Sequence, residues 1–151
     1  MFNTTTIAAA LLFATALPAM AGDASVIRRT QTGIVNIAEI DQSARHNQLE
    51  LNQFGARNIA SVRQRGQTNS AQVLQVGRYN TSSIAQDGDR NSATLTQRGD
   101  VNEQAIMQTG RISRSTVTQM GETNYLTTYT NGGVSALIIE QTLKPRGIFR
   151  R

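Results

Sequence analysis

The chain has 151 residues with no Cys, no Trp, 2 Pro, 12 Gly and a formal net charge of +5, which excludes a disulfide scaffold, a cysteine-ligated metal site and a collagen-like chain. Leu, Ile, Val and Phe number 34, barely above the roughly 20% level below which chains tend to stay disordered, so no large conventional core is expected. Asn and Gln number 25, and any packed structure must find a use for their amides.

In chain order, residues 1–21 are expected to be a signal peptide outside the mature fold. Ile7 to Leu17 is an apolar run too short to span a bilayer, and Pro18-Ala19-Met20-Ala21 offers an Ala-x-Ala cleavage site, although the n-region carries no Lys or Arg. An N-terminal apolar strand or helix is the competing reading. Gly22 to Thr30 forms a short N-terminal segment, too short for a substantial cap. No later stretch is long and apolar enough to cross a membrane as a helix.

From Gln31 the sequence repeats every eleven residues. Gln31, Gln42, Gln53, Gln64, Gln75, Gln86, Gln97, Gln108, Gln119 and Gln141 fall in one column, with Thr130 as its exception. Two residues on come Gly33, Gly55, Gly66, Gly77, Gly88, Gly99, Gly110, Gly121 and Gly132, with Ala44 in that column. Three further lie Asn36, Asn47, Asn58, Asn69, Asn80, Asn91, Asn102 and Asn124, with Ser113 and Ser135 in place of Asn. A small-residue column follows (Ala38, Leu49, Ala60, Ala71, Ser82, Ala93, Gln104, Ser115, Leu126, Leu137). The aliphatic column is Ile40, Leu51, Val62, Val73, Ile84, Leu95, Ile106, Val117 and Ile139, with Thr128 as its exception. The unit is Gln-x-Gly-x-x-Asn-x-Ala-x-Ile-x.

An eleven-residue period also suits a right-handed helical coiled coil. Composition argues against it, because each unit would place a Gly, at about 1 kcal/mol against Ala, inside the helix. Asn-x-Ala-x-Ile-x-Gln instead has period two, which puts those four side chains on one face of a strand. The intervening residues, such as Glu39 and Asp41, Ser61 and Arg63, or Thr94 and Thr96, are polar. The segment from Gln to Asn suits a tight turn with Gly at positive φ. Two units make one flat coil, so the expected fold is all-β: a β-solenoid of five strand-turn-strand coils (31–52, 53–74, 75–96, 97–118, 119–140) with cross-β stacking. Repeats occupy 31–142 and a basic tail 143–151. In this arrangement Gln stacks on Gln and Asn on Asn, so buried amides can bond up and down the stack while Ala and aliphatic residues fill a dry interface.

A stacked coil has two rims of unpaired backbone groups, and one that carries the same columns almost to both ends should add further copies by strand pairing. The tiled pattern, as in Gln64 to Gln75 and Gln86 to Gln97, resembles the curlin repeat of bacterial curli, the functional amyloid of the cell surface and biofilm matrix, over about 31 to 142. The resemblance implies passage through the curli export apparatus, outer-membrane assembly factors and a fibre outside the cell. Its implied partners are further copies of itself and a major curlin subunit.

The tail Leu143 to Arg151 holds Lys144, Arg146, Arg150 and Arg151 and no acid, and Pro145 should end any strand there. A basic, degenerate C-terminal end is similar to that of the minor curlin, the nucleating subunit, which would make these four residues a surface-attachment end, in peripheral contact with the outer membrane. The alternatives are a solvated tail and a self-polymerising major subunit. Arg57, Arg65, Arg78, Asp87, Asp89, Arg90, Arg98 and Asp100, in turns and outer columns, are read as solvating residues, or as gatekeepers if like charges stack.

No cofactor, metal or catalytic residue is expected. His46 stands alone in a turn, and Asp87-Gly88-Asp89 lacks the remaining ligands of a calcium loop. An ice-binding array would need a regular outward Thr lattice that the outer columns do not supply. Specific nucleic-acid binding is not expected either, since the basic excess lies in one tail without an aromatic platform, although the assembled fibre could hold polyanions.

Overall fold

The computed structural model describes residues 5–8, 14–16 and 24–142. They form four strands, β1 Thr5–Ala8, β2 Ala14–Ala16, β3 Ala24–Met120 and β4 Thr123–Thr142, and every pairing between them is parallel. At 97 residues, β3 is far longer than the 3–10 residues usual for a strand. It is a coiled path that pairs with itself. Twenty-two residues of straight strand would span roughly 70 Å, yet Asn102 lies beside Asn124 and Gln119 beside Gln141, and the same 22-residue spacing joins side chains from Gln31 and Gln53 onward. The chain therefore returns to its starting line once per 22 residues, a β-solenoid of about five turns.

Each turn has two arms. The A arms are 36–42, 58–64, 80–86, 102–108 and 124–130; the B arms are 47–53, 69–75, 91–97, 113–119 and 135–141. Alternation along an arm follows from the pleat. In the first A arm Asn36, Ala38, Ile40 and Gln42 are buried while residues 37, 39 and 41 are not, and the arms through 113–119 repeat this. The two sheets bury Ile40, Leu51, Val62, Val73, Ile84, Leu95, Ile106 and Val117 between them, with Ala38, Leu49, Ala60, Ala71 and Ala93 in the adjoining column. Ile139 is only partly buried against this core, because the last B arm has no described rung beyond it.

The N-terminal segment 22–30, expected to be too short for a substantial cap, carries the start of a strand. β3 begins at Ala24, so residues 25–31 form an additional B arm and the solenoid has six B arms against five A arms. Two residues before Gln31, on the same side of the strand, Arg29 stands in the column that Leu51 occupies one rung on. Beyond this rung, β1 runs beside Arg29–Thr32 and β2 beside Ala38–Ile40. Both belong to the stretch read from sequence as a leader.

Candidate assembly interface

The turns come first, because they fix the rung spacing. Nine glycines of the turn column have positive φ, and no other described residue does. The reason is close stacking as well as dihedral preference: a Cβ on Gly88 would overlap the carbonyl oxygen of Gly110, the turn glycine one coil on. At these glycines the rungs stack closely because a hydrogen stands where a side chain would otherwise be.

With the turns in register, the Gln column becomes a continuous ladder. Gln53 Nε2 donates to Gln75 Oε1 at 2.8 Å, Gln75 to Gln97 at 2.9 Å and Gln97 to Gln119 at 3.1 Å, after Gln31 has donated to Gln53 and before Gln119 donates to Gln141 at 3.2 Å. On the opposite edge Gln42, Gln64, Gln86 and Gln108 repeat the pattern. The second amide hydrogen is used too, crossing the interior to a backbone carbonyl sixteen residues earlier, as from Gln86 to Ser70 O at 3.0 Å. Gln86 and Gln97 are thus 1% and 0% exposed without the cost of an unpaired buried amide.

The Asn ladder runs the other way. Asn58 donates back to Asn36, Asn80 to Asn58, Asn102 to Asn80 and Asn124 to Asn102, at 2.7–3.0 Å. The second Asn column is broken, a departure from uniform stacking. Asn91 donates to Asn69 at 3.1 Å, but Asn69 turns to Arg65 O, and neither amide atom of Asn47 has a partner among the described residues. Ser113 follows Asn91 in the column and leaves Asn91 Oδ1 unpaired. The interior also holds a feature the repeat alone does not price: Gln104, 1% exposed in the small-residue column, with neither amide atom bonded.

Outside, charge columns mostly pair opposite signs instead of stacking like ones. Arg63 Nε lies 3.4 Å and Arg65 3.6 Å from Asp41, Arg78 lies 3.8 Å from Asp100, and Gln67 donates to Asp89. The gatekeeping expectation built on like-charge stacking is not what these columns show. Arg57 and Arg78 both approach the Tyr79 ring, at 5.8 and 6.0 Å. Among the described residues no group of three or more His, Cys, Asp or Glu could hold a metal ion. Lys144, Arg146, Arg150 and Arg151 lie outside the described residues.

What the site offers, then, is two rims with complementary unfinished ladders. Among the described residues, Asn36 Nδ2 at the N-terminal rim is a buried donor without a partner, and Asn124 Oδ1 at the C-terminal rim is a buried acceptor without one. Neither a curated protein nor a solved structure matches the chain significantly. The family model of the curlin associated repeat matches residues 55–88 and 88–121. Each match runs from one turn glycine to the third one on, three eleven-residue units at a time, so this central part of the solenoid is similar to the curlin associated repeat.

Proposed function

We propose that this chain is a structural subunit of an extracellular curli-type amyloid fibre, exported after removal of residues 1–21 and lengthened by strand addition at its rims. The observation that carries this is the pair of amide ladders bonded at a constant 22-residue step and ending at unpartnered atoms. Buried donors and acceptors gain most when a copy of the same column completes them, and a stack without closure grows into a filament. Within that reading the chain acts as the nucleating subunit: coils 31–118 are the template presented to a major curlin, and the less regular end, with Thr128 and Thr130 in the aliphatic and Gln columns, leads into a basic attachment tail. Curli export and outer-membrane assembly factors are its further partners, and no enzyme activity is assigned.

The test is to add substoichiometric purified protein to a major curlin subunit and follow thioflavin fluorescence. Loss of the lag is expected. A chain that leaves the lag unchanged but forms fibres alone is a major subunit, and one that does neither is not a curli component.

A further inference from the structure

Six B arms against five A arms cannot be stacked end to end without a conflict. If one copy's last B arm, 135–141, is laid beside the next copy's first, 25–31, the B sheet is continuous but the A sheet lacks a rung. Arms 124–130 and 36–42 then stand two rungs apart, about 9.6 Å at the usual strand spacing. That gap would leave two strand edges unpaired inside the fibre and would keep Asn36 Nδ2 and Asn124 Oδ1 out of reach of each other. If 124–130 is laid directly on 36–42, both atoms find their partner, since the Asn ladder donates from the later rung to the earlier and the joint continues that direction: the next copy's Asn36 donates to Asn124. Arm 135–141 then claims the place held by 25–31.

We propose, on the basis of the fibre reading above, that copies join by strand exchange: the C-terminal B arm of one copy displaces the N-terminal B arm of the next. The two competing arms are unequal. In the small-residue and aliphatic columns the incoming arm carries Leu137 and Ile139, and the resident arm Ile27 and Arg29. An inward charge on an edge strand is a recognised way to keep that edge from pairing, and burial lowers the Arg29 pKa from its ordinary value by penalising the charged form. Exchange puts an isoleucine over the Leu51 column and returns the guanidinium to water, and Gln141 takes the position from which Gln31 donates to Gln53. The joint sets Tyr125 beside Ile37, Thr127 beside Glu39 and Tyr129 beside Asp41, with no like charges opposed. The A-arm edge accepts a parallel strand already, since β2 lies along Ala38–Ile40; in the uncleaved chain that strand occupies the joint, so exchange follows removal of the leader.

The test uses fibres of the chain from Gly22. Ile37→Cys with Tyr125→Cys places two thiols on the outer face of the joint in a protein with no other cysteine, leaving both ladders intact. Adjacent rungs put their Cα atoms at roughly 4.8 Å, within disulfide range, and a skipped rung at roughly 9.6 Å, beyond it. Mild oxidation of fibres is expected to yield chains linked end to end on a non-reducing gel. Trypsin applied to unsubstituted fibres is expected to cut after Arg28 and Arg29 at least tenfold faster than in freshly refolded monomer, while the bond after Arg63 stays protected. Arg29→Leu strengthens the resident arm, and elongation is expected to slow about tenfold, the factor that corresponds to 1.4 kcal/mol. Fibres that form without cross-links, that keep Arg28 and Arg29 as protected as the monomer does, or that elongate faster with Arg29→Leu overturn the exchange while leaving the fibre reading standing. Absence of fibres from the unsubstituted chain overturns both.

Discussion

Val73 and Ser61 show what an eleven-residue register decides at the level of one side chain. Val73 is 0% exposed in the aliphatic column, and Ser61 lies on the outward side of its arm, half-buried between neighbouring rungs. Val73→Lys buries an unpaired ammonium, a change that costs well above the usual 0.5–3 kcal/mol of a point substitution, and fibre seeding in a thioflavin assay is expected to vanish. Ser61→Lys is expected to seed at nearly the unsubstituted rate. Gln104 makes the opposite prediction. Its amide is buried and unbonded between the Ser82 and Leu126 rungs, so Gln104→Leu should stabilise the fold by about 1–3 kcal/mol, read as a higher denaturant midpoint. The inside-outside assignment was legible in the period-two pattern of Asn-x-Ala-x-Ile-x-Gln. The unbonded state of Gln104 was not, because its column position says where the side chain points and nothing about whether a neighbour can meet it.

At the level of the element, the turn decides stability more sharply than the arm. Gly88 and Gly132 share a column and nearly the same positive φ, 145° and 139°, but they differ in what surrounds them. A Cβ at Gly88 meets the backbone of Gly110, and one at Gly132 meets nothing within 4 Å. Gly132→Ala is therefore expected to cost about 1–3 kcal/mol of backbone strain, and Gly88→Ala to add to that strain an overlap that pushes two coils apart. Circular dichroism and urea midpoints of the two variants should separate clearly. Positive φ at the turn could be argued from Gly at a fixed offset after Gln. That one glycine needs its hydrogen because another glycine's carbonyl lies over it is a property of stacked coils, visible only with both rungs in place. The N-terminal B arm escaped the sequence reading for a related reason: Ile27 and Arg29 keep the spacing of the repeat without its residue types, so the columns fade just where the ladder still continues.

For the whole molecule, the proposal gives the tail attachment and the rims growth. Deleting 143–151 removes four of the five net positive charges and leaves every described rung. The variant is expected to keep its seeding activity and to be shed from the cell surface into the medium, which fractionation of cells and supernatant measures; undiminished cell association counts against an attachment role. Surface ion pairs such as Arg63–Asp41, more than half exposed on the arginine side, contribute about 0–1 kcal/mol each, so seeding by the mature solenoid should vary little between low and moderate salt. Architecture at this scale was the most legible part of the sequence, since ten half repeats, five coils' worth, leave little freedom of topology. The imbalance of arms was the least legible, because it turns on a single rung at one end.

The opposed directions of the two amide ladders reach further than the single subunit. An α-helix sums its peptide dipoles and so carries partial charges of about half an electron at its ends. Here the Gln amides point one way along the axis and the Asn amides the other, so lengthening the stack adds side-chain dipoles that oppose each other. The opposition is partial, eight Gln–Gln bonds against five Asn–Asn bonds, and each appended subunit adds the same increment whatever the number already joined. A filament on this plan has no intrinsic stopping length, and its size is set by supply and breakage.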